Sequence, residues 1–537
     1  MKRLKQCIVE NKLPLIIAVI QWFVTMLFQV DRHFFIYDSE TIYFLAVKIV
    51  YMAVLFILWC FLFFVYKNFK RNSGIYKRWV SVFIIYFSIM LLMLLFFWPG
   101  TWSWDDAGIL LGVRRYDSFV PWQHIISGCY QAVLLQLLPF PGGIILIQNA
   151  IVSVCVAYTV AKLEDSFNIK IFISPILDIV FKLLPFFLPP VLLYQFSGYR
   201  MGIYVYLELA MLVMILCGKR DEVAWSWKQV ILFGFLAVLT ACWRTESLFY
   251  AIMMPLFLAG LDRKIVSIKK CIFCIMMIIV GFLGVNKVQN IALGNSNYKI
   301  MSLMGPYAAV VRAADYLEDK EYIDAINRVV NVDTIHENPR TGGEALYWVE
   351  HAYRDGYTPD EFKDSLAALV KLSIKYPKAV FVERWNVFIR ASGITGATWR
   401  ISTQSVNLFD QDDGSNYDEA FKENGWLPVF KQGRKVLINI LSCNRLNGEQ
   451  VGLLRRIVWN VVIPIFVLIC AWLYLLINRK WYLFGICTSV VIRIPIVFLT
   501  EPAGWLMYWL SFYFFGYVYL VYQILIAVGQ RKGEANG

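Results

Sequence analysis

The residues of this chain that could do chemistry are few, and they stand where long apolar runs end. The densest stretch is Trp98 to Gly128, WPGTWSWDDAGILLGVRRYDSFVPWQHIISG, which carries Asp105, Asp106, Arg114, Arg115 and His124. An apolar run stops there at Trp98-Pro99-Gly100, because proline removes a backbone donor and glycine permits the turn. Three other short polar stretches repeat the same residue types: Gly198-Tyr199-Arg200, Trp243-Arg244-Thr245-Glu246 and Glu501-Pro502. A carboxylate can take the proton of an attacking hydroxyl. An arginine fork matches phosphate oxygens bidentately and stays charged when partly buried. We therefore read Asp105, Asp106 and His124 as candidate catalytic residues, and Arg114, Arg115, Arg200, Arg244, Glu246 and Glu501 as candidate substrate-binding residues. Holding a departing phosphate while activating a hydroxyl is the chemistry of glycosyl transfer from a lipid-phosphate sugar.

Each candidate also has a plain structural role open to it. Ser103-Trp104-Asp105-Asp106 is an S-x-x-D capping box, in which Asp106 favours the positive end of a helix. Arg114 and Arg115 can pair with Asp117 or with lipid phosphate, and Arg200 and Arg244 can snorkel to an interface. His124 is equally a hydrogen-bonded structural histidine, and Glu501 can simply end a span. Trp102, Trp104 and Trp122 suit the headgroup layer, where an indole ring lies in hydrocarbon and its N–H stays wet.

The elements that must position these groups are membrane helices. The chain has 537 residues, 59 % hydrophobic and only 17 % charged, which places it outside soluble domains and inside the all-α polytopic class. Its net charge of +13 does not form one basic patch, so no nucleic-acid partner is expected. About 20 apolar residues cross the hydrocarbon, and that rule places about 12 spans near 13–30, 41–66, 79–99, 142–162, 173–195, 201–217, 230–243, 247–261, 271–287, 456–477, 481–500 and 503–528. The pair at 230–261 is too short to cross twice as ideal spans. It reads as two half-helices meeting at Arg244 or as one broken element. The basic residues gather in alternate loops, such as Lys67, Lys70 and Arg71, Lys219 and Arg220, Arg263 and Lys264, and Arg479 and Lys480. The positive-inside rule then puts both termini in the cytoplasm and all four polar stretches outside.

That division gives a transmembrane module at 1–287, an extracytoplasmic domain at 288–455 and C-terminal spans at 456–537. The middle segment has helical spacing over Pro306 to Val330 and over Pro359 to Lys375, the latter ending before Pro377. Asn407 to Asn424 reads as a loop; its Asp410, Asp412 and Asp413 superficially resemble a calcium loop, with the glycine one place early and no closing glutamate. No disulfide framework is expected, because most cysteines fall in or beside apolar runs. The Cys271 and Cys274 pair lacks a partner pair. No P-loop, Rossmann glycine pattern or H-E-x-x-H is present.

Pro99-Gly100, Ser103-Trp104-Asp105, Pro121 and His124 together resemble the first outer loop of bacterial GT-C-type membrane glycosyltransferases. The likeness is strongest to a Firmicutes polytopic family with a P-G-x-x-S-x-D signature followed by H-P-x-x-H. The ending EPAGWLMYWLSFYFFG, Glu501 to Gly516, resembles that family's final span, and LVKLSIKYPKAVFVERW resembles a helix before its last spans. The resemblance implies a GT-C-like bundle in the bacterial plasma membrane. It implies transfer from a polyprenyl-phosphate sugar donor to a glycan, lipid or protein acceptor. It also implies that Asp105 is the family aspartate, acting as base or as the carboxylate beside a divalent cation. Three positions depart from the pattern: Asp106 replaces a small polar residue, Val120 replaces the first histidine, and Met201 stands where a second acid is expected. The rival readings are a lipid-linked glycan polymerase or ligase, a transporter or flippase of envelope precursors, and a non-catalytic glycan-binding protein.

Overall fold

A computed structural model describes residues 12–27, 41–71, 74–114, 123–138, 140–169, 174–293, 297–395, 428–445 and 452–535. The chain is an all-helical, multi-pass membrane protein, and among the described residues there is no β-strand. The first half contributes α1 (Lys12–Leu27), α2 (Thr41–Lys70), α3 (Gly74–Phe97), α4 (Trp104–Arg114), α5 (Ile125–Leu137) and α6 (Pro141–Phe167). It continues through α7 (Pro175–Leu183), α8 (Pro189–Gln195), α9 (Met201–Asp221), α10 (Trp227–Trp243), α11 (Tyr250–Ala259) and α12 (Ile268–Leu293). Eight described helices are long and apolar enough to cross a membrane, or nine if the pair bent by 77° at Pro175–Phe187 and Pro189–Gln195 counts as one span.

Ion pairs and close contacts orient the bundle. Arg78 near the start of α3 meets Glu164 and Asp178, while the ring of Trp98, just past its end, lies against Gly142 at the start of α6. Helices α3 and α6 are thus antiparallel, and α4 and α5, which connect them, remain at one end of the bundle. The Trp225 N–H donates to the Ile265 carbonyl at 2.8 Å, so the chain before α10 and the chain after α11 return to the same level. Residues 230–261 are therefore a helical hairpin whose turn, a 3-10 segment at Thr245–Ser247, carries Glu246 beside Arg244.

Helix α9 is at the centre. Apart from Glu208 and its charged last turn it is apolar, and it is almost wholly buried by protein, whereas α2 and α12, more apolar still, have few buried residues. A span that faces lipid and a span that faces protein are both apolar; what separates them is close approach. At Gly202 an added Cβ would lie 2.0 Å from the Tyr194 carbonyl. A polar spine also fastens α9 to its neighbours: the hydroxyls of Tyr86 and Tyr206 donate to Gln195 Oε1, and Gln195 Nε2 donates to Asn149.

The second half contains α13 (Met301–Ala313), α14 (Lys320–Asn327), α15 (Val332–Glu337), α16 (Gly343–Tyr347), α17 (Pro359–Lys375) and α18 (Pro377–Ser392). After it come α19 (Lys431–Leu441), α20 (Gly452–Val458), α21 (Val462–Ile477), α22 (Trp481–Val491), α23 (Arg493–Thr500) and α24 (Leu510–Ala535). Residues between Ile300 and Leu372 build a core of their own, around Met304, Tyr307, Ile323 and Leu372. Ala391, Ile438, Leu441 and Trp459 instead join the core of the bundle. Helix α17 has the bounds its sequence predicts, with a complete capping box at Thr358 and Glu361. The helicity expected over 306–330 is divided between α13 and α14. The last span begins at Leu510 rather than near 503, since Pro502 and Gly504 keep Glu501 to Trp509 out of the long helix. The acidic loop with Asp410, Asp412 and Asp413 lies outside the described residues.

Candidate active site

The first loop is held by backbone pairing. The Thr101 N–H donates to the Phe196 carbonyl at 2.8 Å and the Gly198 N–H donates to the Thr101 carbonyl at 3.2 Å. Trp102, expected in the headgroup layer, is completely buried: its ring fills the space a side chain at Gly198 would take, and its indole N–H donates to the Pro99 carbonyl. The side chain of Trp104, and Trp122 altogether, lie outside what the structure describes. Arg434, fully buried on α19, donates to the Phe97 and Gly100 carbonyls at 2.6 and 2.7 Å. A cation at the carbonyl end of α3 complements its dipole, adding a charged donor to the Phe97 carbonyl, which also accepts from the Gly100 N–H.

This clip sets the two aspartates apart. Asp106 is buried and its Oδ2 accepts from the Ser103 N–H at 3.2 Å, the reciprocal half of the capping box that starts α4, while its Oδ1 is buried without a partner. Burial, and then the neighbouring Asp105, hold it well above the usual aspartate range. Asp105 faces Tyr199 and Arg200; burial raises its carboxyl, with the Arg200 charge and the Tyr199 hydroxyl pulling the other way. Arg114 closes α4 with its side chain not described, and Arg115 lies outside the described residues. His124 is the N-cap of α5, its Nδ1 accepting from the Ile126 N–H at 3.3 Å. Burial and Arg200 push its pKa down to about 4, so the ring is neutral at pH 7.

Beside this loop lies a cavity of about 610 Å³. His124, Arg200, Arg244, Glu246 and Glu501, from four separate sequence stretches, all line it. Arg244 is 2 % exposed; its Nε pairs with Glu246, its guanidinium lies 5.3 Å from the centre of the Tyr508 ring, and its Nη1 is buried without a partner. The Arg244 and Arg200 charges hold the Glu246 carboxyl below its ordinary value despite burial. Arg200 caps the start of α9, and its carbonyl accepts from the Trp243 indole N–H at 3.1 Å, which ties the start of α9 to the end of α10. Glu501 ends α23 and accepts from the Trp509 indole N–H at 2.6 Å through Oε2, while Oε1 is buried without a partner. Its own carbonyl accepts from Arg384 at 2.7 Å.

Comparison with protein-family models, with curated proteins and with solved structures returns no match. The site must therefore be read from its own groups.

Several of those groups were not anticipated from sequence. Asn286, Gln289 and Asn290 line the cavity from the last turns of α12, and Gln289 also accepts from the Ile125 N–H at 2.6 Å. Their i, i+3, i+4 spacing at the end of an apolar span was the available signal. Tyr298 and Lys299 line it from the start of the second half. Below the hairpin turn lies a buried network: Arg493 pairs with Glu208, Tyr250 and Ser511 donate to Glu208, and Tyr204 meets Ser247. Ionisable residues inside spans are costly and mark function or its support, so Glu208 and Arg493 could have been singled out.

The position where a second acid was expected is closed. Met201 is 1 % exposed and packs in the core. Among the described residues no three His, Cys, Asp or Glu side chains converge to hold a metal ion. Those described residues do not fit a divalent cation.

Proposed function

We propose that this protein is a membrane glycosyltransferase that moves a sugar from a polyprenyl-phosphate donor to an acceptor at the outer face of the bacterial plasma membrane. The observation that carries the reading is the pairing, in one cavity, of Arg200 and the open Nη1 of Arg244 with the amide wall of Asn286, Gln289 and Asn290. Guanidinium groups suit a phosphate and its developing charge; neighbouring amides suit the hydroxyls of a sugar. Asp105 acts on Arg200, orienting the clamp.

The finer architecture belongs to the same proposal. Counting α1, α10, α11 and the bent α7–α8 pair with the eight long helices gives 12 crossings in a GT-C-like arrangement. Both termini are then cytoplasmic, residues 1–287 and 456–537 form the membrane module, and 288–455 form the outer domain. Lys67, Lys70, Lys219 and Arg220 lie at the end opposite the cavity, which the positive-inside rule assigns to the cytoplasm.

A transporter or flippase would need an open binding site near mid-bundle. The one ionic pair found there among the described spans, Glu208 with Arg493, is at most 2 % exposed and is not among the groups lining the cavity.

The test is a donor-consumption assay on the purified full-length protein in lipid. It uses a panel of decaprenyl-phosphate hexoses and pentoses with octyl glycosides or water as acceptor. Consumption of one donor, lost on Arg244→Gln, supports transfer. Donor binding without consumption, with movement of the intact donor across the bilayer, would move the carrier reading ahead.

A further inference from the structure

Among the described residues, the carboxyl groups of Glu246, Asp105 and Glu501 lie in or beside the cavity, and they are not equivalent. Glu246 is committed to Arg244. Asp105 faces Tyr199 and Arg200 and is not among the groups lining the cavity. Glu501 lines it directly, is 1 % exposed, and has one oxygen held by Trp509 and the other buried without a partner. An unpartnered polar atom buried beside a cavity is costly unless a ligand completes it.

We propose that Glu501, rather than Asp105, is the carboxyl that takes the acceptor's proton. This rests on the transfer reading above. In the step, the acceptor O–H bond breaks and its proton bonds to Glu501 Oε1. The freed electron pair on the acceptor oxygen forms the bond to the sugar's anomeric carbon. The bond from that carbon to the phosphate oxygen breaks, and its electron pair leaves on the phosphate toward Arg244 and Arg200.

The surroundings of Glu501 suit that task. The titratable and charged groups around it are Arg384 and Glu383 on α18, with Arg200, Arg244, Glu246, Lys299 and the neutral His124 ring on the other cavity walls. Burial dominates, and raises the Glu501 carboxyl to about 8. A proton acceptor works best with a pKa near the working pH, where it is both available and basic enough. Asp105, by contrast, faces the guanidinium that binds donor, so its loss should be felt in binding.

The experiment compares wild type, Glu501→Gln, Glu501→Asp and Asp105→Asn as full-length protein in lipid. It measures kcat and KM from pH 5.5 to 9.5 with whichever decaprenyl-phosphate sugar of the panel wild type consumes, and binding of that donor. Glu501→Gln should lower kcat by roughly 10²–10⁴-fold with donor binding unchanged, and should abolish the limb that rises toward pH 8. Glu501→Asp should restore part of the rate together with a pH limb, which a merely misfolded site would not do. Asp105→Asn should raise the donor Kd. A Glu501→Gln enzyme within a few-fold of wild type overturns the proposal and leaves the transferase reading standing. So does an Asp105→Asn enzyme that binds donor normally but has lost kcat. If wild type consumes no donor, the transferase reading falls and this proposal falls with it.

Discussion

At the scale of single residues, the site depends on which charges are spent and which are left open. Arg244 has one face on Glu246 and one nitrogen unpaired, so it is set to bind an anion without first breaking a pair. A hydrogen bond to a charged group contributes about 1.5–3 kcal/mol. Arg244→Gln should therefore weaken donor binding by roughly 10- to 100-fold, measured by titration with the decaprenyl-phosphate sugar. Glu501 also predicts a pH dependence of stability. Its folded-state value is about 8 against an ordinary 4.5, so the folded protein holds that proton more tightly than the unfolded chain between those limits. Stability must then fall as pH rises from about 4.5 to about 8 and level off above. The Tm of Glu501→Gln should lack that decline, so the gap between variant and wild type should widen across the window in the variant's favour.

At the scale of elements, buried arginines from the second half of the chain close the exposed carbonyl ends of spans in the first and last parts. Arg434 does so for α3 and Arg384 for α23, and these two ends carry the Asp105 loop and Glu501. Arg434→Met should lower stability by about 3 kcal/mol, because a carbonyl pair loses its charged donor. The loss should appear as a lower Tm, with proteolysis at the 98–114 loop as the local readout. The hairpin turn bearing Arg244 and Glu246 is braced from below by Glu208 and Arg493. Breaking one partner of a buried pair costs about 3–5 kcal/mol, while replacing both by apolar groups is often neutral. Glu208→Leu alone should be severely destabilised, and Glu208→Leu with Arg493→Leu should recover much of that loss in the same melt.

At the scale of the whole molecule, four stretches far apart in the chain, at His124, Arg200, Arg244 with Glu246, and Glu501, meet because antiparallel spans return the chain repeatedly to one end. The topology has a direct test. In a background without the native cysteines, single cysteines introduced at Leu317, which is 90 % exposed in the segment between Ile300 and Leu372, and at Lys70, at the opposite end of the bundle, should react with a membrane-impermeant thiol reagent from opposite sides of sealed vesicles. In right-side-out vesicles only the residue-317 position should label from outside. Labelling of both from one side would refute the assigned crossings.

Much of this was legible in the sequence. Apolar run length identifies spans, since crossing hydrocarbon sets a minimum number of residues whatever packs around them. Pro359 and Pro377 bracket α17 because proline acts locally. The common place of these polar stretches at span ends predicts that Asp105, Asp106, Arg114, Arg115, His124, Arg200, Arg244, Glu246 and Glu501 converge; of these, His124, Arg200, Arg244, Glu246 and Glu501 line one cavity, and Asp105 and Asp106 are not among its lining groups. Other features were decided only by tertiary structure. Residues 230–261 form a hairpin because the backbone pairs at Trp225 and Ile265, far beyond any local pattern. Trp102 is a wedge against Gly198 rather than an interfacial anchor, since an indole ring has the same amphipathic character in either place. Asp105 and Asp106 are adjacent and chemically identical in sequence; the tertiary clip to Ser197 accompanies a helix-capping role for one and leaves the other within the field of the Arg200 charge. Composition determines which surfaces leave water, but which buried carboxyl keeps an unpartnered oxygen beside a cavity depends on neighbours brought together from distant parts of the chain.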